Sequence, residues 1–170
     1  INFSILYGLT AYGLSQDLNV SFSDAQKYIE KYFAQFPGVS SWMESVVQET
    51  IDNGYVTTYM GRRRYIPGIY EKNRNLFDAA KRVAINTKAQ GTAAEIMKIA
   101  MVNLNDHFEK QNNDSKIILQ IHDELLVAVP ENNFQESEQE IKNILESVVS
   151  WNVPLKVTTR SGRDWAQVTK

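Results

Sequence analysis

Lys116-Ile-Ile-Leu-Gln-Ile-His122-Asp123-Glu124-Leu-Leu-Val-Ala-Val129 carries more structural information than any other stretch of this chain. Two apolar runs rich in β-branched residues flank a charged triplet. That pattern predicts a hairpin of two buried strands over 117–129, with His122, Asp123 and Glu124 at or near the turn. A carboxylate pair at the rim of an apolar sheet is costly unless it is paired or bound to a cation. Hard Mg²⁺ prefers carboxylate oxygens, and Asp offers them on a short, stiff arm. Two such ions about 4 Å apart can activate an attacking hydroxyl and stabilise a leaving oxygen, which is the arrangement used in phosphoryl transfer. The plainer reading is a charged hairpin tip in solvent.

Helical signals lie on both sides of the hairpin. Apolar residues recur at helical spacing over 77–109, early at Ala79, Ala80, Val83 and Ala84 and late at Ile96, Ile99, Ala100, Leu104 and Phe108, with Gly91 a possible break. A helix over 133–149 packs Phe134, Ile141, Leu145 and Val148 on one side, and Pro154 precedes a last strand, 155–159. Trp165 is expected to anchor the tail. Upstream, Ser23 and Gln26 read as a capping box that opens a helix carrying Ile29, Tyr32, Phe33 and Phe36, ended by Pro37-Gly38. A further helix over 39–52 ends at Asn53-Gly54. Residues 55–59 and 63–66 read as a short hairpin with Gly61 near its turn, and 68–76 as an exposed loop. Phe3 and Tyr7 share a helix face, and Gly8 and Gly13 then break the run. The order of elements predicts an α+β fold with helices packed on a small antiparallel sheet.

The 170 residues suffice for one good core or two small lobes. No apolar run approaches membrane-spanning length. There is no cysteine, which excludes disulfides and thiolate metal sites and points to a reducing, cytoplasmic compartment. Net charge is −2, yet Met60 to Lys98 holds nine Lys or Arg against three acids, while the rest holds nine against seventeen. A basic stripe on an acidic background is what local phosphate contact needs. The sequence opens at Ile1, in what reads as helix interior, so the chain is expected to be the C-terminal part of something longer.

Arg82, Asn86 and Gln90 stand at i, i+4 and i+8, on one helix face. Long polar side chains in such a row can line a nucleic-acid groove. In the minor groove they would test the shape of a base pair rather than its sequence. The ordinary alternative is a solvated face, but the row has no acidic member and runs into the small residues Gly91-Thr-Ala-Ala94. Arg62-Arg63-Arg64 could bind phosphates or form a basic hairpin tip. Phe3 and Tyr7 could stack on a base or sugar, or pack in a core. His107 reads as a surface residue.

Taken together, four ordered blocks resemble the C-terminal part of a family A DNA polymerase of the bacterial DNA polymerase I type: Asn2-Phe-Ser-Ile-Leu-Tyr7-Gly8, Gly54 to Pro67, Arg82 to Ala94, and Gln120-Ile-His-Asp-Glu124. The resemblance covers essentially the whole chain. It implies the rear of a fingers subdomain over 1–75 and the C-terminal part of a palm over 76–170. The upstream palm strand, the thumb and the start of the fingers would lie outside these residues. It implies template-dependent nucleotidyl transfer to a primer 3′-hydroxyl by a two-metal-ion mechanism. By resemblance, Asp123 holds the Mg²⁺ ions with a second aspartate from an upstream segment, Glu124 supports it, and His122 lies near the primer end. Phe3 sits against the sugar of the incoming deoxynucleoside triphosphate, and Tyr7 near the templating base. Arg82, Asn86 and Gln90, with Arg62 and Arg63, contact primer–template DNA.

Departures from the family pattern are Lys81 for the usual Glu, Lys88 for Pro, Glu95 for Asp, and a tail over 162–170 without the usual Asn before the Trp or His near the end; these changes are expected to add positive charge beside the DNA face. With one aspartate, the isolated chain is expected to be inactive. The alternative is a catalytically incomplete duplex-DNA-binding module that needs a partner segment.

Overall fold

Helix boundaries follow local capping chemistry. The computed structural model describes residues 8, 10–112 and 114–168. Helix α1 (Ala11–Leu18) opens at Thr10, whose hydroxyl accepts the Gly13 amide, so Gly13 lies inside a helix rather than breaking one. Helix α2 (Phe22–Gln35) opens at Ser21 rather than Ser23: the Ser21 hydroxyl accepts the Asp24 amide at 3.1 Å and donates to the Asp24 carboxylate at 2.7 Å. A reciprocal Ser–Asp pair serves as well as the expected Ser–Gln box. Pro37 does not end α2. It opens α3 (Pro37–Asn53), where a missing N–H costs nothing. Gly54, at φ 76°, closes α3 as expected.

Strands β1 (Tyr55–Thr57) and β2 (Arg63–Tyr65) form the first antiparallel hairpin, with Val56 opposite Arg64. The expected loop after it is partly ordered. Residues Pro67–Tyr70 form a 3₁₀ turn that buries Ile69, and α4 (Arg74–Gln111) then begins, with the Asn73 side-chain oxygen accepting the Asn75 amide. Gly91 does not interrupt this 38-residue helix.

The chain divides into two compact units, residues 1–93 and 94–170. In the first, Ala11, Leu14 and Ala25 pack α1 on α2, while Val46, Val56, Ile66, Ile69 and Ala84 bring α3, the hairpin and α4 into one core. In the second, Ala100, Leu104 and Phe108 mark the buried stripe of α4 at four-residue spacing. Strands β3 (Lys116–Ile121) and β4 (Glu124–Ala128) pair antiparallel, with a bulge between Ile117 and Leu119. These strands are not buried as expected: Ile118 is 59% and Leu119 40% exposed. The α+β class therefore holds, with two separate two-stranded sheets among the described residues in place of one.

Helix α5 (Phe134–Glu146) follows, and a short α6 (Trp165–Val168) lies near the end. The expected strand 155–159 is absent among the described residues. The Val157 amide donates instead to the Glu146 carboxylate at 3.0 Å, and Lys156 Nζ lies 3.1 Å from its other oxygen. A backbone amide satisfied by a side chain has no need of a ladder partner. Trp165 is half exposed, so it is a weaker anchor than expected.

The hydrogen bond from Val157, aided by that from Lys156, holds the Glu146 carboxyl below its ordinary value of 4.5. A depressed carboxylate stabilises the fold fully above its unfolded value, and that contribution is lost as pH falls through the folded one. Hydrogen exchange should therefore show the Val157 amide protected above about pH 5 and released in stronger acid. Glu146→Ala should leave it unprotected throughout, and a Val157 amide equally slow in that variant would count against the tether.

Candidate nucleic-acid interface and metal-ligand turn

Helix α4 places Arg82, Asn86 and Gln90 in a row, as the spacing predicts. Arg82 and Gln90 are exposed and Asn86 is half-buried. Gly8 lies against Arg82. At φ 82° it has no side chain to displace, and a Cβ there would stand 2.5 Å from Arg82 Cδ. The close approach lets the Arg82 stem rest on backbone while its guanidinium stays outside. Asn86 has a distinctive feature: its Oδ1 is buried and accepts no hydrogen bond among the described residues. A buried acceptor left unpaired is expensive, which makes Asn86 the one member of the row whose polar group is not satisfied among the described residues. A cation and two amides in line can engage phosphate or sugar together with base edges.

The two lysines that depart from the family pattern do not add free charge to this face. Lys81 Nζ lies 2.7 Å from Asp78 and over the Phe77 ring. Its hydrogen bond holds the Asp78 carboxyl below its usual range. Lys88 Nζ lies 2.5 Å from Glu49 on α3. Each departure is matched by an acid that the sequence pattern alone did not connect to it.

The arginine triplet divides by role. Arg64 donates to the Thr87 hydroxyl at 2.9 Å, which fastens β2 to α4. Arg63 is exposed and stacks over Tyr55, 4.8 Å from the ring centroid. Arg62 is exposed, and its amide donates to the Thr58 hydroxyl. Arg62 and Arg63 are thus both exposed on the hairpin. The sequence reading marked Gly91 and Thr92 only as part of a run of small residues and gave Thr87 no role of its own. The Thr92 hydroxyl accepts the Tyr59 amide at 3.0 Å, and Gly91 packs so tightly on Thr58 that a Cβ would lie 2.7 Å from its methyl. These three residues dock the basic hairpin on the helix that carries the row. The only cue in the sequence was the run of small residues after Gln90.

In the second unit, His122 and Asp123 make a two-residue turn between the paired residues Ile121 and Glu124. His122 adopts φ 54°, which the primed turns of hairpins demand and which non-glycine residues rarely take. The Gln120 side chain donates to its carbonyl at 3.1 Å. His122, Asp123 and Glu124 are all exposed, so the burial cost expected for the acidic pair does not arise. Asp123 has no ion pair among the described residues. A free carboxylate on a tight turn, with a second carboxylate next to it, suits a hard cation such as Mg²⁺. No cluster of three potential ligands occurs among the described residues, so the turn offers ligands rather than a closed cage. Elsewhere in this unit His107 is not an idle surface residue: its Nε2 lies 3.1 Å from Glu140 and ties α4 to α5. Phe3 and Tyr7 lie outside the described residues. No described helix is long and apolar enough to cross a membrane.

The model of DNA polymerase family A matches residues 1–167. The chain is 42% identical over 165 residues to DNA polymerase I of Bacillus caldotenax, covering 97% of this chain and 19% of that protein. It is 41% identical over 167 residues to the thermostable DNA polymerase I of Thermus filiformis, covering 98% of this chain and 20% of that one. The chain thus spans about a fifth of the length of these relatives. Among solved structures it is similar to the polymerase domain of Pol1 from M. smegmatis in complex with DNA primer–template and dNTP, with a TM-score of 0.94 at 38% identity, covering 99% of this chain and 30% of that one.

Proposed function

Because the chain belongs to DNA polymerase family A, we propose that it forms the rear of the fingers (1–75) and the C-terminal palm (76–170) of a DNA-directed DNA polymerase. A primer 3′-hydroxyl attacks the α-phosphate of a deoxynucleoside triphosphate. The new phosphodiester bond forms as the bond to pyrophosphate breaks. Asp123, supported by Glu124, would hold Mg²⁺ together with a carboxylate from another segment. Bound there, Mg²⁺ supplies charge that stabilises the transferring phosphoryl group.

The chain's own residues bind and orient. Arg82 and Gln90 reach outward to the primer–template, with Asn86 between them in the row. His122 stands beside the primer end. Arg62 and Arg63 meet template phosphates, Phe3 the sugar of the incoming nucleotide and Tyr7 the templating base. Holding both reactants in line supplies much of the rate enhancement.

The observation that carries this reading is the row of Arg82, Asn86 and Gln90, its two ends exposed, in a chain whose structural neighbour was solved in complex with primer–template DNA. Primer extension tests it. A complete polymerase domain containing these residues should incorporate the nucleotide that the template specifies. The 170 residues alone should incorporate none, because they bring one aspartate to the metal. Extension by the isolated chain would overturn the division of the metal site. Tight duplex binding by the complete domain without any incorporation would mark a binding module instead.

A further inference from the structure

We propose that Lys88 and Glu49 are a positioning pair that sets how the Arg82–Asn86–Gln90 row is presented, an inference that rests on reading that row as the DNA contact. Lys88 is two residues from both Asn86 and Gln90. On a helix this is about 200° of rotation, so its side chain leaves the face opposite the row. There it meets Glu49 of α3, 39 residues away in sequence, at 2.5 Å, with 28% of the Lys88 side chain exposed and 30% of the Glu49 side chain. The buried residues Val46 on α3 and Ala84 and Ile85 on α4 belong to one core cluster, and the pair lies three or four residues beyond each of them. A second tie meets the same turn: the Lys88 carbonyl accepts the Thr92 hydroxyl at 2.6 Å, and that hydroxyl accepts the Tyr59 amide. One turn of α4 is therefore held by α3 on one side and by the arginine hairpin on the other.

A partly exposed ion pair adds little to stability on its own. A short charge-assisted bond between two elements does fix their rotation and register. A small rotation of α4 about its axis, within what the packing of Ala84 and Ile85 permits, would displace Arg82 and Gln90 relative to a base pair.

The test uses the complete polymerase domain containing this chain. Lys88→Met and Glu49→Gln each remove one charge and keep the side-chain length. Each should raise KM for primer–template by about three- to tenfold and leave kcat within twofold, and the reversed pair Lys88→Glu with Glu49→Lys should restore KM. Melting temperatures of all three variants are compared, so that a loss of folding is not read as a loss of position.

If Glu49→Gln instead tightens binding and steepens its salt dependence, Lys88 is a phosphate contact held in check, and the proposal fails. It fails also if both single variants keep the parent KM. Asn86→Ala is measured alongside. An unchanged KM there refutes the row as the DNA contact, whereas a raised KM there with normal Lys88 and Glu49 variants refutes the positioning pair alone.

Discussion

Asp123→Ala should lower template-directed turnover of a polymerase domain containing this chain by at least about a thousandfold, equivalent to about 4 kcal/mol of transition-state stabilisation. The expectation follows from where the residue sits. Asp123 is the second residue of a two-residue turn, exposed, and without an ion pair among the described residues. Its carboxylate does nothing for the hairpin that His122, with its positive φ, and the Ile121–Glu124 pairing do not already do. Removing it should leave folding and primer–template affinity nearly unchanged, within about threefold for the latter, because phosphate contacts rather than this turn set affinity. Chemistry and binding thus separate in one variant. Single-turnover primer extension against Mg²⁺ concentration measures the first, and equilibrium binding to labelled duplex the second. Asp123→Asn should behave alike, since a neutral amide is a poor ligand for a hard cation. Turnover within tenfold of the parent would remove Asp123 from the metal site.

The parts of the two candidate sites that could be read in the sequence are those whose signal is local. The triplet at 122–124 stands out because β-branched runs frame it, and the row at 82, 86 and 90 because helical spacing alone aligns it. Gly54 announces its cap. What could not be read is whatever depends on a partner far along the chain. Lys88 looked like extra charge until Glu49 was found beside it. Thr87 and Thr92 look like ordinary helix residues until Arg64 and Tyr59 arrive. The strand expected at 155–159 shows the converse. Its apolar alternation is real, but Glu146 takes the Val157 amide, and local propensity yields to that bond. The buried strands expected at 117–129 illustrate a further limit. Hydrophobic pattern predicts what a strand can bury, whereas burial itself requires a covering element, and Ile118 and Leu119 stay exposed at 59% and 40%.

Gly91 is where helix propensity and packing pull in opposite directions, and packing should win. In an exposed helix interior, Gly→Ala stabilises by up to about 1 kcal/mol. Here the added methyl would come 2.7 Å from Thr58 Cγ2, and Thr58 cannot step aside cheaply. It is buried, β-branched and stiff at χ1, and its hydroxyl accepts the Arg62 amide at 3.1 Å. Gly91→Ala should therefore cost about 1–2 kcal/mol, and Gly91→Val about 3 kcal/mol or more as two further methyl groups enter the same contact. Chemical denaturation measures both. The clash also lies where the hairpin bearing Arg62 and Arg63 is fastened to α4, so primer–template binding should weaken along with stability. Thr58→Ser isolates the cause, because it removes Cγ2 and keeps the hydroxyl. In that background Gly91→Ala should become neutral or stabilising, since the methyl then enters the space that Cγ2 leaves and the helix gains its propensity. If Gly91→Ala stays equally harmful when combined with Thr58→Ser, contact with the Thr58 methyl is not what requires glycine at this turn of α4.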